Sequence, residues 1–338
     1  MSITSKMTVE STNRDSGWQR HMREAFRSGQ DLCDYLEIDA NTHASIDAVK
    51  SFPLFAPRPF VNRMRRGDAT DPLLLQVLPV AEELAEVSGF STDPLSEKDS
   101  SLHPGLLQKY DRRVLLVTTG ACAIHCRYCF RRHFPYSDVP HGIDDWQPSI
   151  DAIADDDSIE EVILSGGDPL TIVDRTLGGL TRRIEQIAHV QRLRFHTRLP
   201  IMIPERVNSK LVDLLETTRL QVIIVLHANH AAEIDADVAT AIARLQKTGT
   251  PVLNQSVLLQ AVNDSVELME ELCRELINIG VMPYYMHQLD RVDGAAHFEV
   301  PKEKGQMIID QLRDRLPGYA VPRFVEEQPG DRSKRPIV

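Results

Sequence analysis

From residue 114 onward the chain alternates short apolar runs with amphipathic stretches. The runs 114–118, 162–165, 193–197, 222–227, 252–258 and 283–288 read as strands. The stretches 176–188, 207–217, 233–247, 266–279 and 307–316 carry apolar positions at helical spacing. Alternating β and α units predict a parallel sheet with right-handed crossovers. Six such units fit a partial (β/α)6 barrel; an open flavodoxin-like sheet is the alternative. Either α/β fold places functional residues at the C-terminal ends of the strands.

Upstream the rhythm differs. Trp18, Met22, Phe26, Leu32, Tyr35 and Leu36 fall at helical spacing, so residues 18–86 read as several short helices. Pro53, Pro57 and Pro59 mark an extended connector among them. Residues 71–79 read as packing sequence and 91–103 as a polar loop. Residues 1–16 are polar and rich in Ser and Thr, and disorder is expected there. These shifts divide the chain into a mostly helical extension (1–105), the barrel (106–316) and a C-terminal segment (317–338).

Composition narrows the function. With 338 residues, 42% of them hydrophobic, the chain can fill a large core, and no apolar run is long enough to span a bilayer. A net charge of −11 disfavours nonspecific nucleic-acid binding, which depends on neutralising phosphates. The group Arg63, Arg65 and Arg66 is too short to change that and is expected to form a solvated or ion-pairing face. Five cysteines and the lack of a signal-peptide pattern suggest a reducing cytoplasm. Cys33 and Cys273 read as buried thiols.

The other three thiols stand in Cys122-Ala-Ile-His-Cys126-Arg-Tyr-Cys129, immediately after the first strand. Cluster iron is normally held by cysteine thiolates, often four of them. Three leave one iron of a cubane open to a small molecule. A zinc site is the competing reading, with His125 or His133 as fourth ligand. Polar groups also close the later strands: Ser165-Gly-Gly-Asp168, His196-Thr-Arg198, His227-Ala-Asn-His230 and His287-Gln-Leu-Asp290, with Asn254-Gln255 inside the fifth.

The cysteine spacing, with aromatic Tyr128 before the last thiol, resembles the radical S-adenosylmethionine (SAM) enzymes. Gly166-Gly167-Asp168, one strand later, is similar to their motif for the methionyl amino group. With the motifs at 110–114, 122–132, 165–169, 283–298 and 329–334, the chain from about residue 52 resembles the lysine 2,3-aminomutases. That resemblance implies a [4Fe–4S] cluster on Cys122, Cys126 and Cys129, together with SAM and pyridoxal 5′-phosphate (PLP). Lys334 matches the lysine that carries PLP, a cofactor that rests as a Schiff base. Lys302 and Lys304 compete only weakly, because they open a helix and are expected to be exposed.

The same resemblance assigns Arg131 to the substrate α-carboxylate, which suits a guanidinium fork. It assigns Asp290 and Glu327 to the distal ammonium of lysine, Glu327 standing where the family usually has Asp. Arg113 is the expected PLP-phosphate ligand, with His227 nearby, Lys109 assisting and Gln255 in the cofactor pocket. The implied reaction is a radical 1,2-amino shift from L-lysine to (R)-β-lysine, with a flavodoxin or ferredoxin as electron donor. The chain stops four residues past Lys334 and has Asp331-Arg332-Ser333 where catabolic members are glycine-rich. In this it is similar to the EpmB-like branch, which supplies β-lysine for a separate ligase to attach to elongation factor P. A catabolic aminomutase has the same chemistry and a different destination. A noncatalytic iron–sulfur or zinc regulator is the alternative from another class.

Overall fold

Sheet neighbours in this protein are also sequence neighbours. The computed structural model describes residues 17–140 and 142–338, so the expectation for residues 1–16 lies outside the described residues. Its strands are β1 (Ser101–His103), β2 (Leu106–Tyr110), β3 (Arg113–Val117), β4 (Glu161–Ser165), β5 (Arg192–Thr197), β6 (Gln221–His227), β7 (Val252–Val257), β8 (Met282–His287), β9 (Arg323–Glu326) and β10 (Arg335–Pro336). They form one sheet in the order β1 to β10. From β3 through β9 every pairing is parallel. A flavodoxin-like sheet places its first strand inside the order; strictly sequential order is the winding of a barrel. Among the described residues no pairing joins β1 to β10, so the barrel is partial.

Six β/α units, β3 to β8, correspond to those read from the sequence, and β9 adds a seventh parallel strand. Their helices start where capping side chains take up free backbone N–H groups: Asn208 accepts from Leu211, Asp235 from Val238 and Ser265 from Leu268. The strands bury themselves between these helices and the barrel interior, β4 along its whole length.

Several elements escaped the pattern. The first crossover helix, Gln147–Ala154, is too short to show a clear period. β9 is four residues long, giving little alternation to recognise. The stretch 91–103 is more than a loop: it holds the 3-10 turn Glu97–Ser100 and β1, which opens an antiparallel β1–β2–β3 edge. At the other edge β10 pairs antiparallel with β9, so the tail bearing Lys334 is part of the sheet.

The short N-terminal helices lie against the barrel. Arg63 donates to the carbonyls of Glu233 and Ile201, Arg65 pairs with Asp68 and Asp71, and Arg66 with Glu37. The arginine group is therefore an intramolecular ion-pairing face, one of the two expected forms. Cys33 and Cys273 are buried.

The cysteine loop is anchored to this layer by a buried charge cluster. Glu83, fully buried, takes Arg127 on both carboxylate oxygens at 2.8 and 2.5 Å and Arg132 at 2.7 Å. Removing one side of such a group leaves uncompensated charge in a low dielectric. Glu83→Gln is expected to lower unfolding free energy by about 3–5 kcal/mol, measured by denaturant titration of the cluster-free protein. A change within error would show that Glu83 does not anchor the loop.

Candidate active site

A cavity of about 560 Å³ opens among the C-terminal strand ends. All fourteen site residues read from the sequence line it: Cys122, Cys126 and Cys129; Gly166, Gly167 and Asp168; Arg131, Asp290 and Glu327; Lys109, Arg113, His227, Gln255 and Lys334. The fold thus gathers residues more than two hundred positions apart. What each one does there differs in several cases from the sequence expectation.

At one end the cysteine loop and the Gly-Gly-Asp loop are packed backbone to backbone. Gly167 N donates to Thr119 O and Asp168 N to Ala121 O, both at 2.7 Å. A Cβ on Gly167 would lie 2.3 Å from Ala121 O, and Gly166 adopts φ +124° with Thr119 O 2.6 Å from its ideal Cβ. The close approach that these glycines permit is therefore to the cysteine loop itself. Asp168, buried, accepts from Leu170 N, Thr197 Oγ1, Arg198 N and Leu199 N at 2.7–3.0 Å. Burial raises its pKa and these bonds oppose the rise. Its carboxylate clasps the start of the next loop, so little accepting capacity remains for a ligand amine.

Burial pushes the Cys122 thiol well above its usual range, and the nearby Cys129, Asp168 and Cys126 add to this. Cys129 is pushed up to about 12, by burial first and then by Cys126. Three sulfurs lining one wall of the cavity form a donor set that suits an iron–sulfur cluster. A closed zinc site fits less well. His125 Nδ1 is engaged with Pro53 O at 2.8 Å and its ring stacks on Phe52, while His133 Nε2 lies 3.2 Å from Asp293 O.

Across the cavity runs a chain of alternating charge. Arg131 grips Glu97 bidentately through Nε and Nη2, both at 2.7 Å. Lys109 Nζ lies 3.2 Å from Glu97 and 2.9 Å from Glu327, and Lys334 Nζ is 2.5 Å from the other Glu327 oxygen. Burial alone would raise the Glu327 pKa, but Lys334 and Lys109 hold it well below the usual carboxylate range. Lys109 thus sits between two carboxylates, and Glu327 is shared by two lysines. Arg131 keeps its Nη1 edge, which meets Ser165 Oγ at 3.1 Å.

Between these ends lie polar atoms without partners. Arg113 Nε, His196 Nε2 and His287 Nε2 are buried and unbonded on residues that line the cavity, while the Tyr110 hydroxyl faces Glu327. Buried polar groups are normally satisfied, so such a concentration marks space for a polar ligand. Arg113 also lies over the Tyr110 ring at 4.6 Å. Burial holds His196, His227 and His287 well below their usual pKa, hence neutral. His227 stacks on Tyr128. Gln255 lines the cavity from β7.

Two functional side chains were missed. Glu97 sits in Ser-Glu-Lys-Asp-Ser, which reads as solvent-facing; only its three-dimensional pairing with Arg131 reveals it. Arg198 was visible as a strand-end residue without a role, and it contacts Cys126 Sγ at 2.9 Å.

No family model matches the chain. An L-lysine 2,3-aminomutase of Escherichia coli (strain K12) is 42% identical over 98% of this chain and 97% of its own length. One from Clostridium subterminale is 35% identical over 95% of this chain and 77% of its own. The chain belongs to the L-lysine 2,3-aminomutase family. With the family go a [4Fe–4S] cluster and SAM, and PLP is typical of it. Among solved structures, a radical SAM methyltransferase from Sphaerobacter thermophilus is similar at TM-score 0.45, with 18% identity over 65% of this chain and 68% of that one.

In this family member Asp290 is the cavity's unshared acid. Burial first, then the neighbouring Glu327 charge, raises its pKa to about 7, against the opposing pull of Lys334 and Lys109. The ordinary value is about 3.9. Between these two values the folded protein binds more protons than the unfolded chain, so stability falls as pH rises. Asp290→Asn, which cannot ionise, is expected to gain stability relative to the wild type from about pH 4 to about pH 7 and to hold that gain above. Denaturant titrations of both cluster-free proteins across this range check it; parallel curves would rule out the raised pKa.

Proposed function

We propose that this protein converts L-lysine to (R)-β-lysine by a SAM- and PLP-dependent radical 1,2-amino shift. The observation that carries the reading is one cavity lined by Arg131, Lys334, Asp290 and Glu327 together. Arg131 faces the α-carboxylate with its Nη1 edge while Glu97 fixes the other edge. Asp290 receives the distal ammonium, since a buried cation needs a carboxylate beside it. Arrival of that ammonium favours the charged form of Asp290. Glu327 orients Lys334 for the cofactor, and Arg113 offers an unsatisfied guanidinium N–H that suits a phosphate. Cys122, Cys126 and Cys129 would hold the cluster. SAM and the cluster supply the radical, and PLP supports nitrogen migration; the protein's own part is orientation and exclusion of water.

Supply of β-lysine for modification of elongation factor P, by way of a separate lysyl ligase, is the destination we propose. The support is Asp331-Arg332-Ser333 ahead of Lys334, the feature in which the sequence resembles that branch. A flavodoxin or ferredoxin as reductant and a cytoplasmic setting belong to the same proposal. Among the described residues no helix is long and apolar enough to cross a membrane.

Anaerobic incubation of the reconstituted enzyme with SAM, PLP, reductant and labelled L-lysine is expected to yield β-lysine. Deoxyadenosine without β-lysine would refute the lysine assignment while leaving the radical core intact. Lys334→Ala is expected to retain the cluster and slow SAM cleavage yet lose rearrangement; full turnover would remove Lys334 from the PLP role. For the wild type, kcat/KM for lysine should fall as pH drops below about 7, because protonated Asp290 no longer balances the ammonium. Asp290→Asn should raise KM most above about pH 7, where the wild-type carboxylate is charged, and abolish that limb; unchanged kinetics would place the ammonium elsewhere.

A further inference from the structure

We infer that Arg198 is a positioning residue for the iron–sulfur cluster: it aims a charged N–H at a ligand sulfur and so eases reduction of the cluster. The inference rests on the assignment of Cys122, Cys126 and Cys129 as cluster ligands.

The geometry is specific. Arg198 Nη1 lies 2.9 Å from Cys126 Sγ and 2.7 Å from Tyr128 OH. Its Nη2 donates to Glu233 Oε2 at 2.8 Å and to Gln76 Oε1 at 3.1 Å, and its Nε to His227 O at 3.0 Å. Every nitrogen of the guanidinium is thus engaged, which removes its freedom to turn away from the sulfur. Those partners are themselves fixed. Asn229 Nδ2 donates to Tyr128 OH at 2.6 Å and Gln76 Oε1 at 3.1 Å, and the other Glu233 oxygen accepts from Asn229 N, His230 N and Gln76 Nε2. Arg198, Glu233, Gln76 and Asn229 are all buried. Among the described residues neither Cys122 nor Cys129 has a comparable side-chain donor at its sulfur.

A cluster gains negative charge when it is reduced. An N–H and a fixed positive charge beside one ligand sulfur stabilise the reduced form more than the oxidised one, and hydrogen bonds to sulfur are among the levers that set such potentials. Glu233 lies on the far side of the guanidinium, so it holds Arg198 in place without sharing the sulfur. The aromatic of the cysteine motif therefore does more than pack, because its hydroxyl accepts from both Arg198 and Asn229 and so helps to fix the guanidinium at the sulfur.

An EPR-monitored redox titration of the reconstituted protein without SAM or lysine tests this, with iron content measured on the same samples. For Arg198→Gln the ratio of reduced to oxidised cluster at a fixed potential is expected to fall at least about ten-fold, equivalent to about 59 mV for a one-electron couple. Arg198→Lys keeps the charge but not the fork and should fall between. Full iron content with an unchanged ratio in Arg198→Gln overturns the inference. If that variant does not load iron, Arg198→Lys decides: a wild-type ratio overturns it and a lowered ratio upholds it. Loss of iron from both, with unfolding curves unchanged, would assign Arg198 to cluster assembly and overturn the redox role. Wild-type protein that takes up no [4Fe–4S] cluster would instead overturn the ligand assignment beneath it.

Discussion

The alternating chain Arg131–Glu97–Lys109–Glu327–Lys334 is the interaction on which the site depends. A cavity for a zwitterion with a further ammonium, and for an anionic phosphate, must hold charges of both signs out of bulk water. Each would cost several kcal/mol if left alone. Alternation removes that penalty while keeping the two ends of the cavity chemically distinct. Three cations against two carboxylates leave a positive surplus in the chain itself, matched to anionic ligands. Asp290, poised near neutrality, can then supply negative charge when a cationic group arrives.

This chain also explains the peculiar edge strands. Glu97 comes from the turn before β1, Lys109 from β2, Glu327 from the end of β9 and Lys334 from the start of β10. The antiparallel additions at the two ends of an otherwise parallel sheet bring these four residues together across the open side of the partial barrel. Lys109 and Glu327 are far apart in sequence, one ahead of the β/α units and one after them, so only the curvature of the sheet can pair them.

That distinction marks what the sequence could reveal. Strand–helix periodicity is a local signal, and it located β3 to β8 and the residues at their ends. The cysteine spacing and the segment 329–334 are local too, and family resemblance turned them into site assignments. Glu97 was hidden because a glutamate in a Ser/Asp/Lys stretch has the composition of solvated surface; its burial is created by Arg131, from another element. Lys109 and Glu327 were placed in the right cavity with incomplete partners, since charge pairing is decided by geometry that a linear motif does not contain. Asp168 and the two glycines show the converse. Their motif was legible, but the backbone contacts that hold the two loops together were not.

The substitution of Glu for Asp at position 327 takes its meaning from this arrangement. A carboxylate shared between Lys109 and Lys334 has to reach both nitrogens, and the additional methylene of Glu extends that reach. A shorter side chain would have to give up one lysine or draw the strands closer. The two acids differ accordingly: Glu327 is shared between two lysines, and Asp290 has no such partner. A carboxylate with two lysine partners is held firmly ionised, whereas one beside another acid is not, and the opposite pKa shifts of Glu327 and Asp290 express that difference. Two neighbouring acids thus acquire opposite protonation tendencies from their surroundings, and Lys334 is held by the one that cannot readily be protonated.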